Sequence, residues 1–413
     1  MKVLVLNSGS SSQKSALFEI DRRSCGEAPE PLWQAKIEWS GPAPELVVNA
    51  ASGGTIRDRA NIVDRRGVIE HMLETLWAGK TRVLGSASEI DVVAHRVVHG
   101  GPHLTDPIEI TPAVKSTLAH AGAFAPLHSR SELEGIELVD RLLPRVPQVA
   151  VFDTGFHRTL PRRAAQYPGP YDWFEEGIRR YGFHGINHQY CAQRAARLLD
   201  LRLESLKIVS CHLGNGCSLA AIQGGESVDT TMGFTPLEGL MMGTRSGSID
   251  PGILTYLVRE TSMSGEDLDA MLNRQAGLLA ISGLSADMRD IESGITKGNT
   301  RAQLAFDMFV HHLHKNIAAM ASVLGGVDVL TFTAGIGENS AKVRSAACAQ
   351  LSFMGVKLDA DKNSRLRLEG EISSFDSKVR ILVIRAQEDW AIAQASLRII
   401  EHSRRGQGKS FFT

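Results

Sequence analysis

Nothing in this chain suggests a disulfide framework, a membrane span or a surface built for polyanions. The five cysteines, Cys25, Cys191, Cys211, Cys217 and Cys348, are odd in number and show no C-x-x-C spacing. Neither paired bridges nor a zinc site is expected from them, and a reducing, cytoplasmic compartment is the simplest home. No apolar run approaches the roughly 18 residues that suggest a membrane span, and the N-terminus has no signal-peptide core. A formal net charge of −1 argues against nucleic acid and anionic membrane as partners. Two common nucleotide signatures are also missing. There is no G-x-x-x-x-G-K-[ST], and no strand is followed by G-x-G-x-x-G, because Gly335-Ile336-Gly337 lacks the third glycine.

What the chain does have is one design used twice. Val3-Leu4-Val5-Leu6 leads into Asn7-Ser8-Gly9-Ser10-Ser11-Ser12-Gln13-Lys14 and then Ser15-Ala16-Leu17-Phe18. Two hundred residues later, Ile208-Val209-Ser210-Cys211-His212-Leu213 leads into Gly214-Asn215-Gly216 and then Cys217-Ser218-Leu219-Ala220-Ala221-Ile222. Each copy reads as a strand, a tight Asn/Gly/Ser turn and a second strand. Glycine lets the backbone turn and brings its N–H groups close to a ligand, and consecutive N–H groups with serine hydroxyls cradle an anion. A chain of 413 residues is too long for one hydrophobic core, so one phosphate-gripping hairpin per domain fits its length.

Strands alternating with helices give an α/β class. Buried-type strands are expected at Val92–Val98, Val149–Phe152, Val327–Phe332 and Val379–Ile384. Helices are expected over 68–77, 111–121, 129–143, 186–199, 302–324 and 388–401. Residues 21–60 read as irregular strands and turns, 161–171 as a loop, Gly335–Asn339 as a turn into a helix near Ser340, and 403–413 as a frayed tail. Ligands of open α/β sheets gather outside the carboxyl ends of strands, which places Asp153 well for chemistry. Phosphoryl transfer needs charge neutralisation more than covalent help. Lys14, Arg96, Arg245 and His184 are the candidate donors, with Asn7, Asp153 and Glu388 suited to magnesium and its waters. Duller roles stand beside these: Asp153 as a turn cap, His184 as a helix-entry residue, Arg245 as an ordinary loop arginine. His311, His312 and His314 read as a helix face rather than a metal site.

The clusters, in their order along the chain, resemble the acetate kinase family. The stretches that carry the resemblance are Leu6–Lys14, His95-Arg96-Val97-Val98-His99-Gly100-Gly101, Phe152-Asp153-Thr154-Gly155-Phe156-His157, Arg180-Tyr181-Gly182-Phe183-His184-Gly185, His212–Gly216, Gly243-Thr244-Arg245-Ser246-Gly247 and Gly335–Asn339. The resemblance implies two ribonuclease-H-like, actin-like ATPase domains with a cleft between them. One covers residues 1–153 and is completed by the C-terminal helix 387–413; the other covers 154–386. It implies a homodimer that moves a phosphoryl group reversibly from ATP to acetate, with magnesium or alternatively manganese. By position, Asn7 and Glu388 are implied at the metal, and Asp153, Arg96, His184 and Arg245 as catalytic residues. Arg96, Val98, Leu127, Phe183 and Pro236 are implied around the substrate. Lys14, Ser10, Ser12, His212, Leu213, Gly214, Asn215, Gly216, Asp287, Met288, Arg289, Gly335, Ile336, Gly337, Glu338 and Asn339 are implied around the nucleotide. Three positions depart from the family's usual pattern: Met288, Ser129 and the pair Ala386-Gln387. A propionate or butyrate kinase, and an actin- or chaperone-like ATPase, are the alternative readings.

Overall fold

The computed structural model describes residues 1–8, 12–21, 27–39, 43–59, 64–121 and 126–407. Contacts divide the chain into two compact units, Met1–Gly155 with Gln387–Thr413, and Phe156–Ala386. Each is built on one sheet.

The first unit contains β1 (Lys2–Ser8), β2 (Ser12–Glu19), β3 (Trp33–Glu38), β4 (Glu45–Ala50), β5 (Thr55–Arg59), β6 (Val92–Val97), β7 (Ile108–Glu109) and β8 (Gln148–Phe152). Their order in the sheet is β5-β4-β3-β2-β1-β6-β8-β7. β1 to β5 form an antiparallel meander, whereas β6 and β8 join parallel to β1. Trp33–Glu38, Glu45–Ala50 and Thr55–Arg59 are thus regular antiparallel strands, not the irregular ones that the sequence suggests. The buried-exposed alternation of β3 was masked in the sequence by the surrounding Pro and Gly. Leu4, Leu6 and Leu17 pack with Trp33, Met72, Leu73 and Leu138 on one face. Phe18 faces the other way, as the period of a strand requires, and meets Trp390 of the C-terminal helix Glu388–Gln407 with ring centroids 5.6 Å apart. That helix lies against β1, β6 and β8, which brings its acidic first turn to the carboxyl end of β1.

The second unit adds β9 (Lys207–Leu213), β10 (Cys217–Gln223), β11 (Glu226–Thr230), β12 (Val329–Thr333), β13 (Gly370–Glu371) and β14 (Arg380–Val383). Their order is β11-β10-β9-β12-β14-β13. The hairpin β9–β10 is antiparallel, and β12 and β14 follow it in parallel. The series β2-β1-β6-β8 of the first unit therefore reappears as β10-β9-β12-β14. This is the duplication read from the two hairpins, now visible in connectivity. β9, β10 and β12 are buried along nearly their whole length, as strands covered on both faces must be. Helix Gly185–Leu199 presents Cys191, Ala192, Ala195 and Ala196 to Ile208, Ala220 and Ile222. Short side chains let that helix sit close to the strands. Residues Ala334–Asn339 are a short helix of about one and a half turns, not the turn that their glycines suggest. Residues Arg162–Ala165 are also helical rather than loop. Among the described residues, no helix is long and apolar enough to cross a membrane.

Candidate active site

In the first unit, the polar side chains at the strand ends form one connected group. Asn7 is buried at the end of β1, and its Nδ2 donates to Asp389 Oδ1 at 2.8 Å and to Glu388 Oε2 at 3.3 Å. Opposite Asn7 across the hairpin is Lys14. Burial raises the Asp389 pKa, while the Asn7 hydrogen bond and the Lys14 charge oppose the rise. Asp389 was not among the expected site residues. Its signal was two adjacent acids in the first turn of a helix, where the helix dipole favours negative charge. Asn, Glu and Asp oxygens are hard donors, and magnesium takes one or two carboxylates plus waters and substrate phosphates rather than a closed cage. The trio therefore suits that ion, even though the described residues hold no cluster of three or more metal-ligating His, Cys, Asp or Glu.

Beside this group, Arg96 on β6 donates from Nη2 to Asp153 Oδ2 at 2.7 Å and from Nη1 to the Ser8 carbonyl at 3.3 Å. Asp153 is 1% exposed, so the pair is an internal one. Burial alone would lower the Arg96 pKa, but the charges of Asp153 and Glu388 outweigh it and hold the guanidinium above its ordinary value. Val98, just past β6, is buried and donates its N–H to Glu132 Oε1 at 3.0 Å. Glu132 is also buried, and desolvation pushes its carboxyl up to about 7. Sequence reading missed this residue as well, although it occupies a position four before Ile136 where the helix stripe calls for an apolar side chain. Ser12 opens β2. Ser10 and the side chain of Leu127 lie outside the described residues.

In the second unit, His184 precedes the helix Gly185–Leu199 with a left-handed backbone (φ 56°). For a non-glycine residue that conformation costs of the order of 1–3 kcal/mol unless its surroundings hold it. Here the ring stacks on His212, with centroids 3.9 Å apart and planes at 11°, and Nδ1 meets Ser218 Oγ at 2.9 Å. The loop Met242–Arg245 lies on the hairpin turn. Gly243 N donates to the Asn215 carbonyl at 3.0 Å, and a Cβ at Gly243 would lie 2.1 Å from Asn215 Oδ1. A side chain at Gly243 would have to push the Asn215 amide aside. The loop brings Arg245 over Gly216, where Nη1 donates to the Pro236 carbonyl at 3.3 Å. A Cβ built on Gly216 would lie 3.1 Å from Arg245 Nη1 and 3.5 Å from His184 Nε2. The two expected donors thus flank the same glycine of the phosphate hairpin. Burial lowers the Arg245 pKa, in part offset by Cys217. No carboxylate of its own unit pairs with it among the described residues, in contrast to Arg96.

A cavity of about 600 Å³ adjoins the hairpin, lined by Gly214, Asn215, Asp287, Met288, Arg289, Gly335, Ile336 and Asn339. Ala286, Glu292 and Ser340 also line it and were not expected. Asp287 caps the helix Met288–Thr296 by accepting from Arg289 N and pairs with the Arg289 guanidinium. Of the other expected nucleotide residues, Leu213 is a fully buried strand residue, Gly337 is buried in the short helix and Glu338 Oε1 accepts from Ala386 N at 2.9 Å. None of these three lines the cavity. Phe183 is buried behind His184, its carbonyl 3.1 Å from His157 Nε2. Of the residues expected around the substrate, Val98 and Leu127 belong to the first unit, Phe183 and Pro236 to the second.

Duplicated hairpin sheets, a Gly-lined cavity and the paired donors Arg245 and His184 over a phosphate-type turn define a phosphotransferase of the actin-like ATPase class. Comparison with known proteins narrows this. The acetokinase family model matches residues 2–394, and the chain belongs to that family. It is 54% identical to an acetate kinase of a Nostoc species over 404 residues, spanning 97% of this chain and all of that one. Among solved structures, it resembles an acetate kinase of Porphyromonas gingivalis (TM-score 0.89, 39% identity, 97% of this chain and 99% of that one). It also resembles a propionate kinase of Francisella tularensis (TM-score 0.87, 37% identity, 95% and 98%). The protein is a kinase.

Proposed function

We propose that this enzyme transfers the γ-phosphoryl group of ATP directly to a carboxylate oxygen of acetate, reversibly, giving acetyl phosphate and ADP. The observation that carries this reading is the pair His184 and Arg245 over Gly216, two donors with no carboxylate of their own unit to neutralise Arg245. Acetate is already ionised at neutral pH, since such acids have a pKa of roughly 4, and it needs no general base. A bond forms between its oxygen and the γ-phosphorus, the bond from that phosphorus to the β–γ bridging oxygen breaks, and the electron pair leaves with ADP. The barrier is repulsion between two anions. Arg96 holds the acetate carboxylate, Arg245 and His184 take the charge on the transferring group, and Asp153 orients Arg96. The cavity lined by Asp287–Arg289, Gly335, Ile336 and Asn339 takes the nucleoside, and Lys14, Ser10 and Ser12 its phosphates. Asn7 and Glu388, with Asp389, hold magnesium, which when bound neutralises phosphate charge.

The family resemblance assigns Val98, Leu127, Phe183 and Pro236 to contact with the substrate methyl. An apolar wall separates neighbours in a homologous series by only about 1–3 kcal/mol per methylene, so propionate is a poorer substrate rather than an excluded one. The helix Pro251–Thr261 has no buried side chain and exposes Ile253, Tyr256 and Val258, which supports pairing with a second copy of this chain. The four described cysteines are free thiols, in keeping with the cytoplasm. Hydroxylamine trapping of acyl phosphate, with formate, acetate, propionate and butyrate compared, tests the assignment. Acetate should give the highest kcat/KM, and trapping with none of them would refute it.

A further inference from the structure

Behind His184 runs a chain of side chains that no sequence pattern marks. Ser218 Oγ lies 2.9 Å from His184 Nδ1 and 2.8 Å from His188 Nε2, and His188 Nδ1 lies 2.9 Å from Ser210 Oγ. Ser210, Ser218 and His188 are completely buried. The register of β9 on β10 pairs Ser218 with His212 and Ser210 with Ala220, so Ser210, His212 and Ser218 share one face of the sheet. His184 and His188 are one turn apart at the start of the helix above it. Asn187, between them, donates to His212 Nδ1 at 2.8 Å, fixing the ring on which His184 stacks.

Hydrogen-bond bookkeeping limits this chain to two directions. Each serine hydroxyl has one proton, so it donates to one partner while accepting from another. Burial and the neighbouring His157 and His212 hold the His188 pKa well below the ordinary value, so that ring carries a single proton. Two opposite directions satisfy every link; in the one that presents a donor to the phosphoryl group, Ser210 donates to His188 Nδ1, His188 Nε2–H donates to Ser218, and Ser218 donates to His184 Nδ1. The proton of His184 is left on Nε2, the nitrogen that flanks Gly216 beside Arg245. The opposite direction with a neutral His184 would aim a lone pair at an anionic phosphoryl group.

We propose that Ser218 and His188 are positioning residues that lock the ring of His184 and keep its proton on Nε2, so that it meets the transferring phosphoryl group as a donor. This rests on His184 touching that group, as assigned above. The test combines nitrogen-15 NMR of histidine-labelled enzyme with steady-state kinetics. In the wild type at neutral pH, His184 should show the neutral tautomer protonated at Nε2. Ser218→Ala should mix the tautomers and lower kcat by about 10–100-fold, the cost of a misplaced group, with the acetate KM nearly unchanged. Ser218→Thr keeps the hydroxyl and should recover most of the loss. If Ser218→Ala does not fold, the wild-type spectrum and Ser218→Thr still decide. A wild-type His184 protonated at Nδ1 or at both nitrogens overturns the proposal, as does full turnover in Ser218→Ala. His184→Ala separates the two readings: retained turnover there removes His184 from the reaction, whereas its loss beside a fully active Ser218→Ala removes only the relay.

Discussion

Replacing Gly216 with alanine should separate activity from stability, and the geometry sets both signs in advance. The new Cβ would meet Arg245 Nη1 at 3.1 Å, His184 Cε1 at 3.4 Å and His184 Nε2 at 3.5 Å. The histidine contacts are ordinary van der Waals distances, but the arginine must give way by a few tenths of an ångström. The tip of a flexible side chain does so cheaply. Gly216 is not among the residues with positive φ, so alanine suits its backbone and restricts the unfolded chain, adding about 0.4–1 kcal/mol of stability. Turnover has no such tolerance. A misplacement of about 1 Å costs about 10²-fold, and a displacement of roughly a third of that predicts a loss of about 5-fold in kcat at little cost in acetate KM. Gly182→Ala is the contrasting control. Its φ is +75°, and its Cβ would lie 2.6 Å from both His157 Cδ2 and Thr230 Cγ2, so stability and activity should fall together. The assay is ADP release beside thermal unfolding for both variants. Unchanged kcat in Gly216→Ala, or a melting loss equal to that of Gly182→Ala, would refute the reasoning.

The two arginines should differ in kind. Arg245→Ala should lower kcat by roughly 10³–10⁵, as loss of an arginine finger does, whereas Arg96→Ala should also raise the acetate KM, because it holds the carboxylate in the ground state; full-range kinetics distinguish them, and the reverse pattern would swap their roles. Glu132 supplies a pH test. Its carboxyl is raised by burial from an ordinary 4.5 to about 7, so the native state binds its proton more tightly than the unfolded state does. The associated stability is complete below pH 4.5 and disappears as pH rises through about 7. A shift of that size corresponds to about 3 kcal/mol. Glu132→Gln, which keeps an acceptor for Val98 N, should therefore gain on the wild type in urea unfolding above neutrality and lose that gain towards pH 5; a pH-independent difference would contradict it. Tyr256→Asp should shift light-scattering mass from dimer towards monomer, and an unchanged mass would remove the helix Pro251–Thr261 from the contact.

Much of this was legible because turns that grip phosphate have few chemical solutions. Asn7, Gly214 and Gly216 stand in Asn/Gly/Ser turns between apolar runs, and the sheet order repeats around them. Arg96 and Asp153 were each suspected, but their pairing was not, since 57 residues separate them and only the parallel register of β6 on β8 brings them together. Ser218 and His188 were invisible for another reason. A serine in an apolar strand and a histidine in an amphipathic helix read as packing, and only the face they share shows a hydrogen-bonded chain. The helix at Ala334–Asn339 was hidden by glycines that the sequence reads as breakers, whereas here Gly337 is buried against Leu213 and the Cys211 carbonyl.

ADP formation by the full-length enzyme with magnesium and ATP, measured with and without acetate, tests the central claim most directly. Transfer onto a carboxylate oxygen predicts ADP appearing with acetate in equal amount to acetyl phosphate, and only a trace without it. ADP released at the same rate in the absence of any carboxylate would mean that the paired hairpins serve ATP hydrolysis, and would contradict the account.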